Sequence, residues 1–482
     1  MVSRADVLAW VVLLTSTCLA QELPSSPKLP PLIPEPIRHE NRSLKLNIQE
    51  ACRIALAKSP RAGLALAKIR QTQAEAEAAG APLRPLARIT LLGPPVPPGL
   101  AQLRQNVAFA PLRVEVRQLL LDGGKVAAQI DQLKAQADSN AHQAQAEWHQ
   151  LHLEVSLAYL DVLRARAREV VSRESLELAK RQLQDTEKRW EAGDVPKGDV
   201  LLSRVPRAEA ELELAKAGAT ARDKEEALNL LMGIPLDTPL ILSEPDEVKP
   251  LGKDLPQCLA QAEQNRPTLR ASRLVLRATE HGIKAAQADN RPTLTIVGGF
   301  FGISSDASAI SSTGIQGGLE LSWNFLDGGR SANLTRSAEA QRDQAMLRTA
   351  ELERQLEGEV RQAYRAAELA RVAQESSQVQ LAQTQDAYRI ATAQYQAGFV
   401  PFYPQRQAQL DMLRAKQIFS ATLYDYIAAR MRLDYVRGEE PDPSMPASKP
   451  LSDPPPEDED VPAKAAPPAK KLDVQGPPEP PR

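Results

Sequence analysis

Three histidines are the densest set of candidate metal ligands in this 482-residue chain. His142, His149 and His152 fall at i, i+7 and i+10 in one proline-free stretch, which brings them near one another on a helix. Zinc sites need three or four converging donors, and a solvated polar helix face accounts for these three without a metal. Two cysteines follow Cys18, namely Cys52 and Cys258, 206 positions apart. In an oxidising compartment they could pair, but two small buried thiols fit the spacing better. Carboxylates are abundant only as charges along helical stretches. No Ser/His/Asp set or phosphate loop has supporting context. The chain reads as non-enzymatic, with no cofactor and no metal. With net charge −2 and a pI near 6.3, nucleic acid is not an expected partner.

The residues that do recur with a physical purpose are architectural. Asp122-Gly123-Gly124 returns as Asp327-Gly328-Gly329, 205 positions later. Each aspartate suits a helix N-cap, where its carboxylate accepts from free backbone N–H groups for about 1 kcal/mol. Each glycine pair supplies the φ freedom of a strand-to-helix turn. These units are turns and not phosphate cradles.

The elements they introduce are long. Residues 123–192 hold no proline and as one helix would run roughly 105 Å. Val126, Ile130, Leu133, Ala137, Ala141, Ala144, Trp148, Leu151, Val155, Ala158 and Val162 follow at steps of three or four. One narrow apolar stripe is the result, and such a helix needs other helices beside it. Its period sits near that of a relaxed helix, so little left-handed supercoil is expected. Ala363-Tyr364 repeats Ala158-Tyr159, and Tyr395-Gln396-Ala397-Gly398 repeats Trp190-Glu191-Ala192-Gly193, both at 205. Upstream, Arg266-Pro267 answers Ser59-Pro60 at 207. Two structural repeats result, about 44–240 and 250–438. Each opens with a short helix (residues 46–60 and 255–267) and a second one (61–79 and 268–288).

β-Hairpins follow at about 85–121 and 293–325. Ile315–Phe325 alternates over eleven residues: Leu319, Leu321, Trp323 and Phe325 on one face, Glu320 on the other. Leu294 and Ile296 alternate likewise in 293–301. Val114 and Val116 align with Leu319 and Leu321, while Arg113, Glu115 and Arg117 take the polar face. Length and period fit membrane β-strands. Phe300 at the loop end and Trp323 with Phe325 at the open end would form two aromatic girdles. Four strands cannot close a barrel, and open edges in a bilayer leave backbone groups unpaired at several kcal/mol each. Several chains would have to build one barrel together.

At the start, residues 1–20 read as a secretory signal. Lipidation at Cys18 is a weaker alternative, because Thr15 stands where lipoboxes usually carry Leu. A proline-rich linker (21–43) follows, and a proline-rich acidic tail (439–482) without periodicity is expected to be disordered.

The order of signal, helical pair, hairpin, Leu-Asp-Gly-Gly, long helix, Gly-turn and return helix, all given twice, resembles the TolC-like outer-membrane efflux proteins over about 44–438. The resemblance implies a mainly α fold with a small membrane β-barrel part. Long helical hairpins (helices 123–192 with 199–232, and 328–397 with 405–437) would form a trimeric α-barrel tunnel under a shared twelve-stranded barrel. Val114, Val116, Leu294, Ile296, Leu319, Leu321, Trp323 and Phe325 would then face outer-membrane lipid. Arg113, Glu115, Arg117 and Glu320 would face the lumen. It implies an outer-membrane, homotrimeric exit duct for efflux or type I secretion, served by a periplasmic adaptor and an inner-membrane pump of the RND or ABC class. Gly193, Asp194, Val195, Pro196 and Asp199, with Gly398, Phe399, Val400 and Pro401, would form the periplasmic tip and the adaptor contact. The sequence departs from the family where its second repeat often has acidic residues, at Pro404 and Gln407, which speaks against an aspartate ring from that repeat. The alternative is a non-spanning periplasmic coiled-coil scaffold with soluble hairpins.

Overall fold

A computed structural model of the protein describes residues 44–91, 112–244, 252, 254–303, 312–397, 399–400 and 402–439. The expected signal segment with Cys18, the linker, Gly398, Pro401 and nearly all of the tail lie outside these residues. The first half runs β1 (Leu44–Leu46), α1 (Ile48–Lys58), α2 (Pro60–Ala79), β2 (Leu86–Leu91), β3 (Leu112–Leu121), α3 (Lys125–Glu191), α4 (Lys197–Met232) and β4 (Leu240–Leu242). The second runs α5 (Leu255–Asn265), α6 (Pro267–Ala288), β5 (Thr293–Ile303), β6 (Ser312–Ser322), α7 (Arg330–Gln396) and α8 (Phe402–Val436). The fold is mainly helical and built of two repeats.

Local chemistry sets the joints. α1 starts in a reciprocal cap: the Asn47 side chain accepts from the Glu50 N–H, and the Asn47 N–H donates to the Glu50 carboxylate, each at 2.8 Å. It stops at Ser59 because Pro60 follows, and that proline opens α2 at a position where its missing N–H costs nothing. Arg266 and Pro267 repeat the joint between α5 and α6.

α3 and α7 are both 67 residues long, about 100 Å at about 1.5 Å per residue. Their surroundings differ. α3 is flanked on both sides, by α2 and α6 along its first half and by α4 and α8 along its second. Lys68–Gln143 and Ser139–Ala271 hydrogen bonds mark the first pair of flanks. Lys224–Asp161 and Lys416–Glu174 ion pairs mark the second. Burial on α3 therefore extends well past the narrow stripe expected of it, taking in Asp138, Ser139 and Asn140. α7 has α6 and α8 on one side, and its other side carries exposed Leu347, Leu369 and Val379.

The main core lies where the parallel pair β1–β4 crosses α3. Tyr159, fully buried, places its hydroxyl 2.9 Å from the Leu46 carbonyl and 2.7 Å from that of Ser243. Burial pushes this phenol above its ordinary pKa, so it stays a neutral donor to those carbonyls. Cys52 and Cys258 are buried thiols in two separate cores and are not joined by a disulfide.

Candidate functional site

The four long strands form one antiparallel sheet in the order β2-β3-β5-β6. Registered neighbours share a face. Val114 pairs with Ile89 and Phe300, and Phe300 with Ile315. Ile296 pairs with Leu319, and Leu294 with Leu321. Val114, Val116, Leu294, Ile296, Leu319 and Leu321 thus share one apolar face. On it Ile315 is 81% and Leu319 68% exposed. The opposite face gathers Arg113, Glu115, Arg117 and Glu320, with Arg88 directly across from Glu115 and Arg117 donating to the Glu115 carboxylate. Gly298 with Gly317, opposite one another in β5 and β6, strip both strands of side chains at mid-length.

The strand expected to reach Phe325 ends at Ser322. Its partner β5 begins at Thr293, and Pro292 before it has no N–H to extend the ladder. Trp323 and Phe325 lie past the ladder. The Trp323 indole donates to the Asn290 carbonyl at 3.1 Å, and the two rings stand 6.1 Å apart. A bulge between Leu119 and Leu121 in β3 was not anticipated either.

At the strand-to-helix junctions the helices start at Lys125 and Arg330, so the N-caps are the left-handed Gly124 and Gly329, and the aspartates expected in that role sit two positions before them. The carboxylates still cap. Asp122 accepts from the N–H groups of Gly124 and Val126, and Asp327 from those of Gly329 (2.9 Å) and Ser331 (2.8 Å). Hydrogen bonding from the Ser331 side chain first, and then from the backbone N–H groups of Ser331 and Gly329, holds the Asp327 carboxyl down to about 2. Gly123, Gly124, Gly328 and Gly329 have φ of 66°, 87°, 63° and 83°, which only glycine adopts cheaply.

Two junction residues went unnoticed in the sequence. Arg291 lies on Gly123: its guanidinium donates to the Gly123 carbonyl at 2.6 Å, and a Cβ on that glycine would stand 2.5 Å from the Arg291 Cβ. Asp289 at the end of α6 takes Lys125 at 2.6 Å and Arg330 at 3.5 Å. Its carboxyl is held below the usual range, chiefly by the hydrogen bond from Lys125.

At the far end of the helices, Gly193 (φ 84°) closes α3. Its N–H donates to the Trp190 carbonyl and that of Asp194 to Arg189, the paired bonds of a Schellman cap. The Phe399 N–H donates to Gln394 in the second repeat. Val195 is half-buried, Pro196 adjoins α4, and Asp199 lies in its first turn. Phe399 is 82% exposed, Val400 is half-buried, and Pro404 and Gln407 are exposed. Between the repeats, Arg189 donates to the Tyr395 hydroxyl and lies over its ring, 5.2 Å from the centroid. Gln182 donates to Gln405 at 3.3 Å.

Of the three histidines, His149 departs from the solvated reading: it is 4% exposed, because α6 and the end of α8 cover that part of α3. His142 contacts Gln145, and the His152 carbonyl accepts from Cys52. No helix among the described residues is long and apolar enough to cross a membrane, which says nothing of strands.

The model of the family described as "Outer membrane efflux protein" matches residues 104–234 and 258–439. Protein CyaE of Bordetella pertussis is 29% identical over 389 residues, covering 77% of this chain and 80% of its own. The cobalt-zinc-cadmium resistance protein CzcC of Cupriavidus metallidurans is 24% identical over 319 residues, covering 66% and 74%. A membrane protein of Pseudomonas aeruginosa with a crystal structure superposes with a TM-score of 0.69 at 22% identity, covering 81% of this chain and 93% of that one.

Proposed function

Because the chain belongs to the outer membrane efflux protein family, we propose that it is the exit duct of a tripartite efflux or type I secretion system. In this reading three copies build one twelve-stranded barrel in the outer membrane over a helical tunnel in the periplasm. The observation that carries it is the four-stranded sheet with one exposed apolar face and two edges unpaired among the described residues, continuous with helices about 100 Å long. An open sheet in lipid leaves the outer N–H and C=O groups of β2 and β6 unpaired at several kcal/mol each. Neighbouring copies remove that cost by closing the edges on one another.

The apolar residues from Val114 to Leu321 would meet lipid, with Trp323 and Phe325 at the membrane boundary. Arg113, Glu115, Arg117 and Glu320 would line the lumen. Cargo would pass without covalent chemistry, driven by an inner-membrane pump. The tip turns at Gly193–Pro196 and 398–401, with Asp199, would receive the adaptor. Opening would require α3 to part from α7 and α8 there, and the Arg189–Tyr395 and Gln182–Gln405 contacts resist that motion.

Fluorescent labels at Leu319→Cys and Glu320→Cys in liposome-inserted protein test the barrel. The Leu319 label should be quenched by a lipid-chain quencher and the Glu320 label by a water-soluble one. Equal quenching of both from water would support a periplasmic scaffold instead.

A further inference from the structure

The seam between neighbouring copies can be read from the seam inside one chain. Arg84-Pro85 matches Arg291-Pro292 at the same 207 offset as Pro60 and Pro267, while β3 matches β6 at 205. The sheet itself tests these offsets. Applied to β2–β3, they turn the pair Leu86–Arg117 into Thr293–Ser322, and Ala87–Val116 into Leu294–Leu321. Both products are pairs that β5 and β6 make. Over the six registered pairs of β2–β3 the two hairpins are therefore equivalent residue by residue.

Inside the chain, the last strand of the first repeat (β3) pairs with the first strand of the second (β5). Among the described residues the equivalent contact for β6 lacks its partner: β6 and β2 are the two edges of the sheet. The junction shows the same gap. Gly123 is covered by Arg291, whereas Gly328, with nearly the same φ, has nothing within 4 Å of where a Cβ would be. Arg84, the equivalent of Arg291, is exposed. Apolar groups along both edges are bare as well: Ile89 is 69%, Phe325 77% and Leu326 84% exposed.

We propose that a second copy of this chain fills the β6 edge with its β2 in the register of the internal seam, its Arg84 lying on Gly328. Moving β3 forward by 205 and β5 back by 207 converts Arg117–Val297 into Ser322 against the neighbour's Thr90. Gln118–Ile296 becomes Trp323 against Ile89, and Leu119–Thr295 becomes Asn324 against Arg88. This register extends β6 past Ser322, through residues that have no ladder partner in a single chain. It places Trp323 with Ile89 on the lipid face and Asn324 with Arg88 on the opposite one. The proposal rests on the duct reading for the existence of an edge-to-edge neighbour; the register comes from the repeat.

Cysteine cross-linking tests it. The double variant Thr90→Cys/Ser322→Cys, oxidised in the membrane, should give reducible covalent dimers and trimers. The background cysteines Cys52 and Cys258 are buried. Arg88→Cys/Ser322→Cys, two residues out of register, should give at least tenfold less. More cross-linking from the out-of-register pair, or none from Thr90/Ser322 in a preparation of trimeric mass, would overturn the register and leave the duct standing. A monomeric preparation would overturn both. Separately, Arg84→Ala should lower the temperature at which the oligomer dissociates in SDS, and an unchanged temperature would remove the guanidinium from the seam.

Discussion

Lys125, the first residue of α3, holds Asp289, which closes α6 four residues before β5, at 2.6 Å, so the first long helix is tied to the second repeat at the level where the sheet begins. Arg330 approaches the same carboxylate at 3.5 Å from the start of α7. One acidic side chain, 15% exposed, thus joins both strand-to-helix junctions.

Asp289→Asn should lower stability by about 1 kcal/mol, the upper end for a pair with one partly exposed partner. The sign of the pH dependence follows from the lowered carboxyl. The stabilisation is present above the unfolded carboxylate value of about 3.9 and is lost as pH falls through the lower folded value. Thermal midpoints between pH 6 and pH 3 should therefore fall more steeply for the wild type than for Asp289→Asn. Parallel curves would contradict the linkage.

The two glycines of the first junction should not respond alike. Gly123→Ala and Gly124→Ala each force an L residue into the left-handed region, at roughly 1–2 kcal/mol. Gly123→Ala must also displace Arg291, so it should be the more destabilising in urea or heat. Equal losses would mean that Arg291 moves aside freely.

Asp327 and Asp122 cap their helices from outside. Asp122→Ala should cost about 1 kcal/mol. Because the Asp327 carboxyl is held down to about 2, its stabilisation should begin to decline below the unfolded value of about 3.9. The folded carboxylate stays ionised at pH 3.5, and the cap is lost only near the folded value. Amide exchange at Ser331 reads this directly: protection retained at pH 3.5 in the wild type and lost in Asp327→Ala.

At the tip, Tyr395→Phe removes the hydroxyl that accepts from Arg189 but keeps the ring under the guanidinium. Tyr395→Ala removes both. If the contact restrains opening, single-channel conductance in planar bilayers should rise in the order wild type, Tyr395→Phe, Tyr395→Ala. No change in any of them would place the restraint elsewhere.

Much of this was legible in the residues because its causes are local. Leu326-Asp327-Gly328-Gly329 repeats Leu121-Asp122-Gly123-Gly124, and turn chemistry needs no distant partner. Strand alternation likewise marked the apolar face from Leu294 to Leu321. What escaped depends on elements meeting across the repeats. Arg291 on Gly123 and the Asp289 link exist only once α6 lies beside the other repeat's junction. His149 read as solvated because α6 and the end of α8, which bury it, are remote in sequence. The alternation through Phe325 outran the strand because a ladder ends where its neighbour ends.

The central claim is that several copies of this chain share one barrel. The most direct test is the mass of the protein extracted from outer membranes in detergent, by light scattering with the detergent subtracted. Three chains, each of the 52.6 kDa sequence less any removed signal segment, in a particle that needs detergent to stay dispersed, is the predicted result. A monomer or dimer that stays in solution without detergent would contradict it.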